Sequence, residues 1–93
     1  ASHVVVLKGE NGVRYTVPQT IDVNNMKDQV VVRFRVADVY RDRSISVYLD
    51  GTRVQARKKK VLAPGEMEQV ILKKEDLQKY PDLKEIVICT EVE

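Results

Sequence analysis

Apolar and polar residues alternate with a period of two along most of the chain, the pattern of strands buried on one face only. It is clearest in Val30-Val31-Val32-Arg33-Phe34-Arg35-Val36, where Val30, Val32, Phe34 and Val36 share one face and Arg33 and Arg35 point the other way. Ser44 to Leu49 repeats the alternation with Ile45, Val47 and Leu49 inward, and Asp50-Gly51 follows, the dipeptide favoured in a type I′ hairpin turn. Thr52 to Lys58 is therefore expected to return antiparallel, with Val54 and Ala56 facing the core and Arg53, Gln55 and Arg57 facing water. Upstream, Val4–Leu7 and Val13–Val17 read as an N-terminal hairpin across Asn11-Gly12, ended by Pro18, which cannot donate to a central ladder. Ile21 and Val23 mark a further short extended piece.

In the last third, Ala63-Pro64-Gly65-Glu66 is a turn signal and Met67 to Lys73 a strand with Val70 and Leu72 on one face. Lys74 to Tyr80 reads as one or two helical turns stopped by Pro81, with Leu77 and Tyr80 at i,i+3 spacing to cap the core. Glu85 to Thr90 is the closing strand. About seven short strands with regular turn signals, and no helix long enough to cover a sheet, predict an all-β fold. The expected architecture is an immunoglobulin-like or fibronectin-like antiparallel β-sandwich with one short helical turn. A five-stranded oligonucleotide-binding barrel is the alternative.

Length makes this one folding unit: 93 residues suffice for one core and not for two. We expect a single domain over residues 4–93, with Ala1-Ser2-His3 a cloning remnant or cut site. With 43% hydrophobic and 32% charged residues, collagen-like and low-complexity classes are excluded. A chain this small buries roughly 60–65% of its unfolded surface, which leaves little room for a deep substrate cavity. No apolar run approaches the length of about 18 residues that a membrane span needs. The single Cys89 forms no internal disulfide, so a reducing, cytoplasmic setting is expected. On its strand it reads as a small buried hydrophobe.

The net charge of +2 hides an uneven distribution. Residues 33–60 carry nine cations against three acids, and residues 61–93 four lysines against eight acids. Arg33, Arg35, Arg53, Arg57, Lys58, Lys59 and Lys60 form the candidate docking patch. Lysines and arginines on exposed strands also guard edges against pairing with other chains. Nucleic acid is the alternative partner, although only Tyr48 is expected to face outward there, too little for a stacking platform. Glu66, Glu68, Glu75, Asp76 and Asp82 do not follow a calcium-loop spacing and read as a solvated acidic edge, while Asp42 and Asp50 flank turns. The glycines match no phosphate-binding fingerprint. His3 is the only histidine, which leaves no His-based catalytic set and no usual zinc or iron site. No catalytic, cofactor-binding or metal-ligating residue is assigned.

The succession Gly12-Val13-Arg14-Tyr15-Thr16-Val17-Pro18-Gln19, then Val32 to Val36, then Val61-Leu62-Ala63-Pro64-Gly65-Glu66-Met67-Glu68 resembles the C-terminal extension of certain bacterial FAD-dependent pyridine nucleotide-disulfide oxidoreductases. The resemblance covers nearly the whole chain and rests on short structural motifs. It implies that FAD and NAD(P)H bind in upstream Rossmann domains of a parent chain, and none of the family's cofactor or redox residues has a counterpart in these 93 residues. The domain itself is then an accessory sandwich that packs on the enzyme body, mediates oligomer contacts or docks a protein partner.

Overall fold

Eight strands and one helical turn follow each other in the computed structural model, which describes all 93 residues: β1 (Val4–Glu10), β2 (Val13–Val17), β3 (Thr20–Asp22), β4 (Gln29–Val36), β5 (Tyr40–Leu49), β6 (Thr52–Leu62), β7 (Glu68–Lys73), α1 (Lys74–Leu77) and β8 (Glu85–Val92). They form two layers, a five-stranded sheet in the order β3-β1-β8-β5-β6 and a three-stranded sheet in the order β2-β4-β7. No strand ladder joins the layers, so the fold is the expected sandwich and not the closed barrel. The strand beyond the expected seven is β3, the short piece around Ile21. One pair, β1 with β8, is parallel. These strands come from opposite ends of the chain, so no tight turn dictates their relative direction. No helix is long and apolar enough to cross a membrane.

Alternation explains the core. Val32, Phe34 and Val36 of β4, Val70 and Leu72 of β7, Ile45, Val47 and Leu49 of β5, and Ile86 and Ile88 of β8 all point between the sheets and are buried. With Val5, Leu7, Val13, Ile21, Val23 and Leu62 they belong to one continuous cluster of 18 residues. Leu77 closes one end with Tyr80 packed against the cluster, as their i,i+3 spacing predicts.

Both glycine-containing turn dipeptides adopt left-handed backbone: Asn11 and Gly12 have φ of 49° and 95°, Asp50 and Gly51 of 45° and 88°. The second joins β5 to β6 as expected. Asp50 also reaches beyond its own turn, its carboxylate accepting the Lys84 and Glu85 amides at the start of β8 at 2.9–3.3 Å. The first turn does not close the expected hairpin, because β1 and β2 lie in different sheets. The carbonyls of the turn are taken by distant partners: Asn11 accepts the Thr90 hydroxyl at 2.6 Å and Gly12 accepts the Ala37 amide at 2.8 Å. Asn11-Gly12 thus carries the chain from one layer to the other.

The expected facing of β6 is corrected as well. Val54, Gln55, Ala56 and Arg57 are all exposed, and it is Gln55 and Arg57, not Ala56, whose register puts them on the side of the core. Gln55 is registered with Val47 and Arg57 with Ile45, and both partners are core residues. Val54 is the extra residue of a bulge, since Val47 pairs with Gln55 and Tyr48 with Arg53. That insertion shifts the alternation by one. Because the smaller sheet does not extend beneath β6, its inward side chains meet the edge of β7 instead of a core: Gln55 donates to the Ile71 carbonyl at 2.9 Å and Arg57 to the Gln69 carbonyl at 3.0 Å.

Candidate functional site

The seven basic residues expected to form one patch are divided among three surfaces. Arg33 and Arg35 lie on the outer face of the three-stranded sheet, where β4 is central. Arg33 is registered with Val17 on one side and Gln69 on the other, and Val31 with Ile71, so these side chains share that face. Tyr15, Val17 and Ile71 are 52%, 59% and 41% exposed, and no carboxylate pairs with either arginine. Arg35 donates to the Pro64 carbonyl at 3.3 Å. The result is an apolar surface with two guanidinium groups at its centre, a composition enriched in protein interfaces.

Arg53 sits on the outer face of the five-stranded sheet and is tied into a network that nothing near it in the sequence announces. Its guanidinium lies 3.2 Å from Glu91 and contacts Glu93, and it donates to the Ser46 hydroxyl at 3.1–3.3 Å. The Tyr48 hydroxyl donates to both Glu91 oxygens at 2.8 and 3.0 Å. Tyr48 faces outward as expected, but its polar end is engaged. The bulge at Val54 is what places Arg53 opposite Tyr48.

Hydrogen bonds from Ser46 and Tyr48, with the Arg53 charge beside them, hold the Glu91 carboxyl below its ordinary range, and Arg53 does the same for Glu93. The hydrogen bond to Glu91 raises Tyr48. A carboxyl lowered in the folded state stabilises above its unfolded value, about pH 4.3, and loses that contribution as pH falls through the folded value. A phenol raised in the folded state stabilises below about pH 10 and loses that contribution as pH rises through its folded value. Glu91→Gln is therefore expected to flatten both limbs of the stability–pH profile, read from urea midpoints across pH; unchanged limbs would place the titrating groups elsewhere.

The third surface is β6 itself. Lys59 lies 3.6 Å from Glu68, which is buried and so departs from the solvated acidic edge expected of it. Burial of a carboxylate is tolerated where a cation reaches it, and Lys59 comes from the facing layer. Glu66, Glu75, Asp76 and Asp82 are exposed. Lys58 and Lys60 have no acid within ion-pair distance. They border a recess of ≈ 500 Å³ with Asp42, Arg43, Lys59 and Glu93. Asp42 lies inside β5 with φ of 53°, not at a turn. Arg43 stacks over the Tyr40 ring at 4.3 Å and donates to the Thr90 hydroxyl at 3.1 Å.

The remaining candidates are structural in their contacts. His3 is half-buried, its ring nitrogen 2.7 Å from the Leu83 carbonyl, and its amide donates to Asp22. Cys89 is buried, and burial followed by the Glu91 and Glu10 charges pushes its thiol up, away from the thiolate that redox chemistry uses. The recess beneath α1, lined by Leu49, Val54, Leu72, Leu77 and Tyr80 among others, measures ≈ 220 Å³, less than the roughly 300 Å³ at which small-molecule sites begin. No protein-family model, curated protein or solved structure matches the chain.

Proposed function

We propose that this chain is a non-catalytic protein-docking module, the C-terminal accessory domain of a cytoplasmic FAD-dependent pyridine nucleotide-disulfide oxidoreductase whose FAD and NAD(P) sites lie in upstream domains. The observation that carries the docking part is the outer face of the three-stranded sheet: Arg33 and Arg35 set among Tyr15, Val17, Val31 and Ile71 with no acid to neutralise them. Such a face is half satisfied in water and gains from a partner that covers the apolar residues and accepts from the guanidinium groups. The parent enzyme rests on the resemblance carried by Gly12–Gln19, Val32–Val36 and Val61–Glu68. A nucleic-acid role has less support, since Tyr48 is bonded to Glu91 and Arg53 is neutralised by Glu91 and Glu93.

The test is to mix the chain with the flavin-bearing remainder of the native gene product and measure association by calorimetry. Binding is expected, and Arg33→Glu with Arg35→Glu is expected to weaken it about a hundredfold or more, since two central arginines are reversed, while leaving thermal stability nearly unchanged. Turnover of NAD(P)H by the 93-residue chain alone, or unaltered association of the double variant, would contradict the reading.

A further inference from the structure

Two sheets have four edges, and three of them are guarded by the structure. Strand β3 is only three residues long, and β2 is five residues with a register shift between Val13 and Thr16 and Pro18 at its end. The carbonyls of Gln69 and Ile71 on β7 are occupied by the Arg57 and Gln55 side chains. These are recognised ways of closing an edge.

The fourth edge is different. Strand β6 is the longest in the molecule at 11 residues, and it pairs with β5 on one side and with no strand on the other. Every residue from Thr52 to Val61 is exposed except the half-buried Lys59. It contains no proline, and its register with β5 is regular from Gln55 to Lys59. Half the backbone donors and acceptors of such a strand point away from its neighbour and are open to another strand.

Beyond the Val54 bulge, from Gln55 to Val61, only charge defends this edge, and charge is selective. In the antiparallel register that overlaps Gln55–Val61 of two copies fully, Lys58 of one falls opposite Lys58 of the other and Arg57 opposite Lys59. Like charges directly opposite destabilise a pair, so a second copy is repelled. The same row of Arg57, Lys58, Lys59 and Lys60, with only Lys59 paired to an acid, attracts an extended segment that places carboxylates along it.

We propose that the open edge of β6 is a strand-addition site for an extended acidic segment of a partner protein, with alternate carboxylates meeting Lys58 and Lys60 on the outer side. The site goes beyond the docking reading: it uses neither the Arg33 face nor a flavin-bearing parent, so either can fail without the other. The probe is a synthetic peptide that alternates glutamate with valine or threonine and is long enough to span Gln55–Val61, added to the full 93-residue chain. Amide hydrogen exchange is followed residue by residue by NMR. Expected results are slowed exchange at β6 amides that point away from β5, no binding of the same peptide with lysine in place of glutamate, and loss of about tenfold or more in affinity in Lys58→Glu/Lys60→Glu, two exposed changes. The charge-reversed peptide tests the wild-type chain and needs no variant to fold. Four results would overturn the proposal: no binding of the acidic peptide, binding without β6 protection, stronger protection of the same amides by a single-stranded oligothymidylate, or protection that grows with protein concentration alone.

Discussion

Phe34→Ala is expected to lower the stability of the chain by about 3–5 kcal/mol, the range for truncating a buried aromatic when neighbours relax only in part. Phe34 is 1% exposed on β4, the central strand of the smaller sheet, paired with Thr16 of β2 and Glu68 of β7. It is the only phenylalanine and the largest fully buried side chain. The sandwich has no second aromatic of that size at its centre to move into the space. Domains of this kind have about 5–15 kcal/mol in total, so the variant should sit near the folding threshold. Urea denaturation followed by far-UV circular dichroism measures the loss. A loss below about 1 kcal/mol would mean that the two layers do not pack through Phe34.

Gly12→Ala is expected to cost about 3 kcal/mol, from two sources that other glycines separate. Gly12 has a φ of 95°, a conformation that side-chain-bearing residues rarely adopt, and an added Cβ would lie 2.6 Å from the Tyr40 ring. That ring cannot easily retreat, because Arg43 stacks on it and is itself held by Thr90. Gly51 shares the left-handed backbone, with φ of 88°, but a Cβ there meets nothing within 4 Å. Gly51→Ala should therefore show the backbone cost alone, about 1 kcal/mol. Gly65 has neither feature, and its alanine variant should be neutral within about 0.5 kcal/mol. The expected order of urea midpoints is Gly65→Ala, then Gly51→Ala, then Gly12→Ala; equal losses at Gly12 and Gly51 would show that the Tyr40 contact carries no energy.

Much of this architecture was legible because local chemistry and the final fold agree. Strand β2 spans Val13–Val17, the run rich in strand-forming residues that was expected there, and Asn11-Gly12 and Asp50-Gly51 both make left-handed turns. What was not legible depends on residues far away in the chain. Asn11-Gly12 looks like a hairpin turn until Thr90, 79 positions on, takes its carbonyl. The facing of β6 turns on the single unpaired Val54, and a bulge of that kind leaves no mark in a run of alternating residues. Glu68 reads as a solvent residue because its partner, Lys59, reaches it from the opposite layer.

The candidate site was legible in part for the same reason. Basic residues can be counted along the chain, but neighbours in sequence are not neighbours on the surface. Arg57 and Lys59 reach to β7 with their charged ends, while Lys58 and Lys60, between and beside them, have no acid within ion-pair distance. The acids that neutralise Arg53 come from β8 and the residue that follows it, and nothing near Arg53 in the sequence announces them. By contrast, the face of Arg33 and Arg35 was readable, because a period-two strand with two arginines on one side presents both together wherever it is placed.

Whether the chain is an accessory module of a flavin enzyme is decided on the native, untagged gene product, taking its intact mass and its visible absorption spectrum from one preparation. The expected result is a chain several times longer than 93 residues with the absorption bands of bound flavin. A colourless chain of about this size would contradict it.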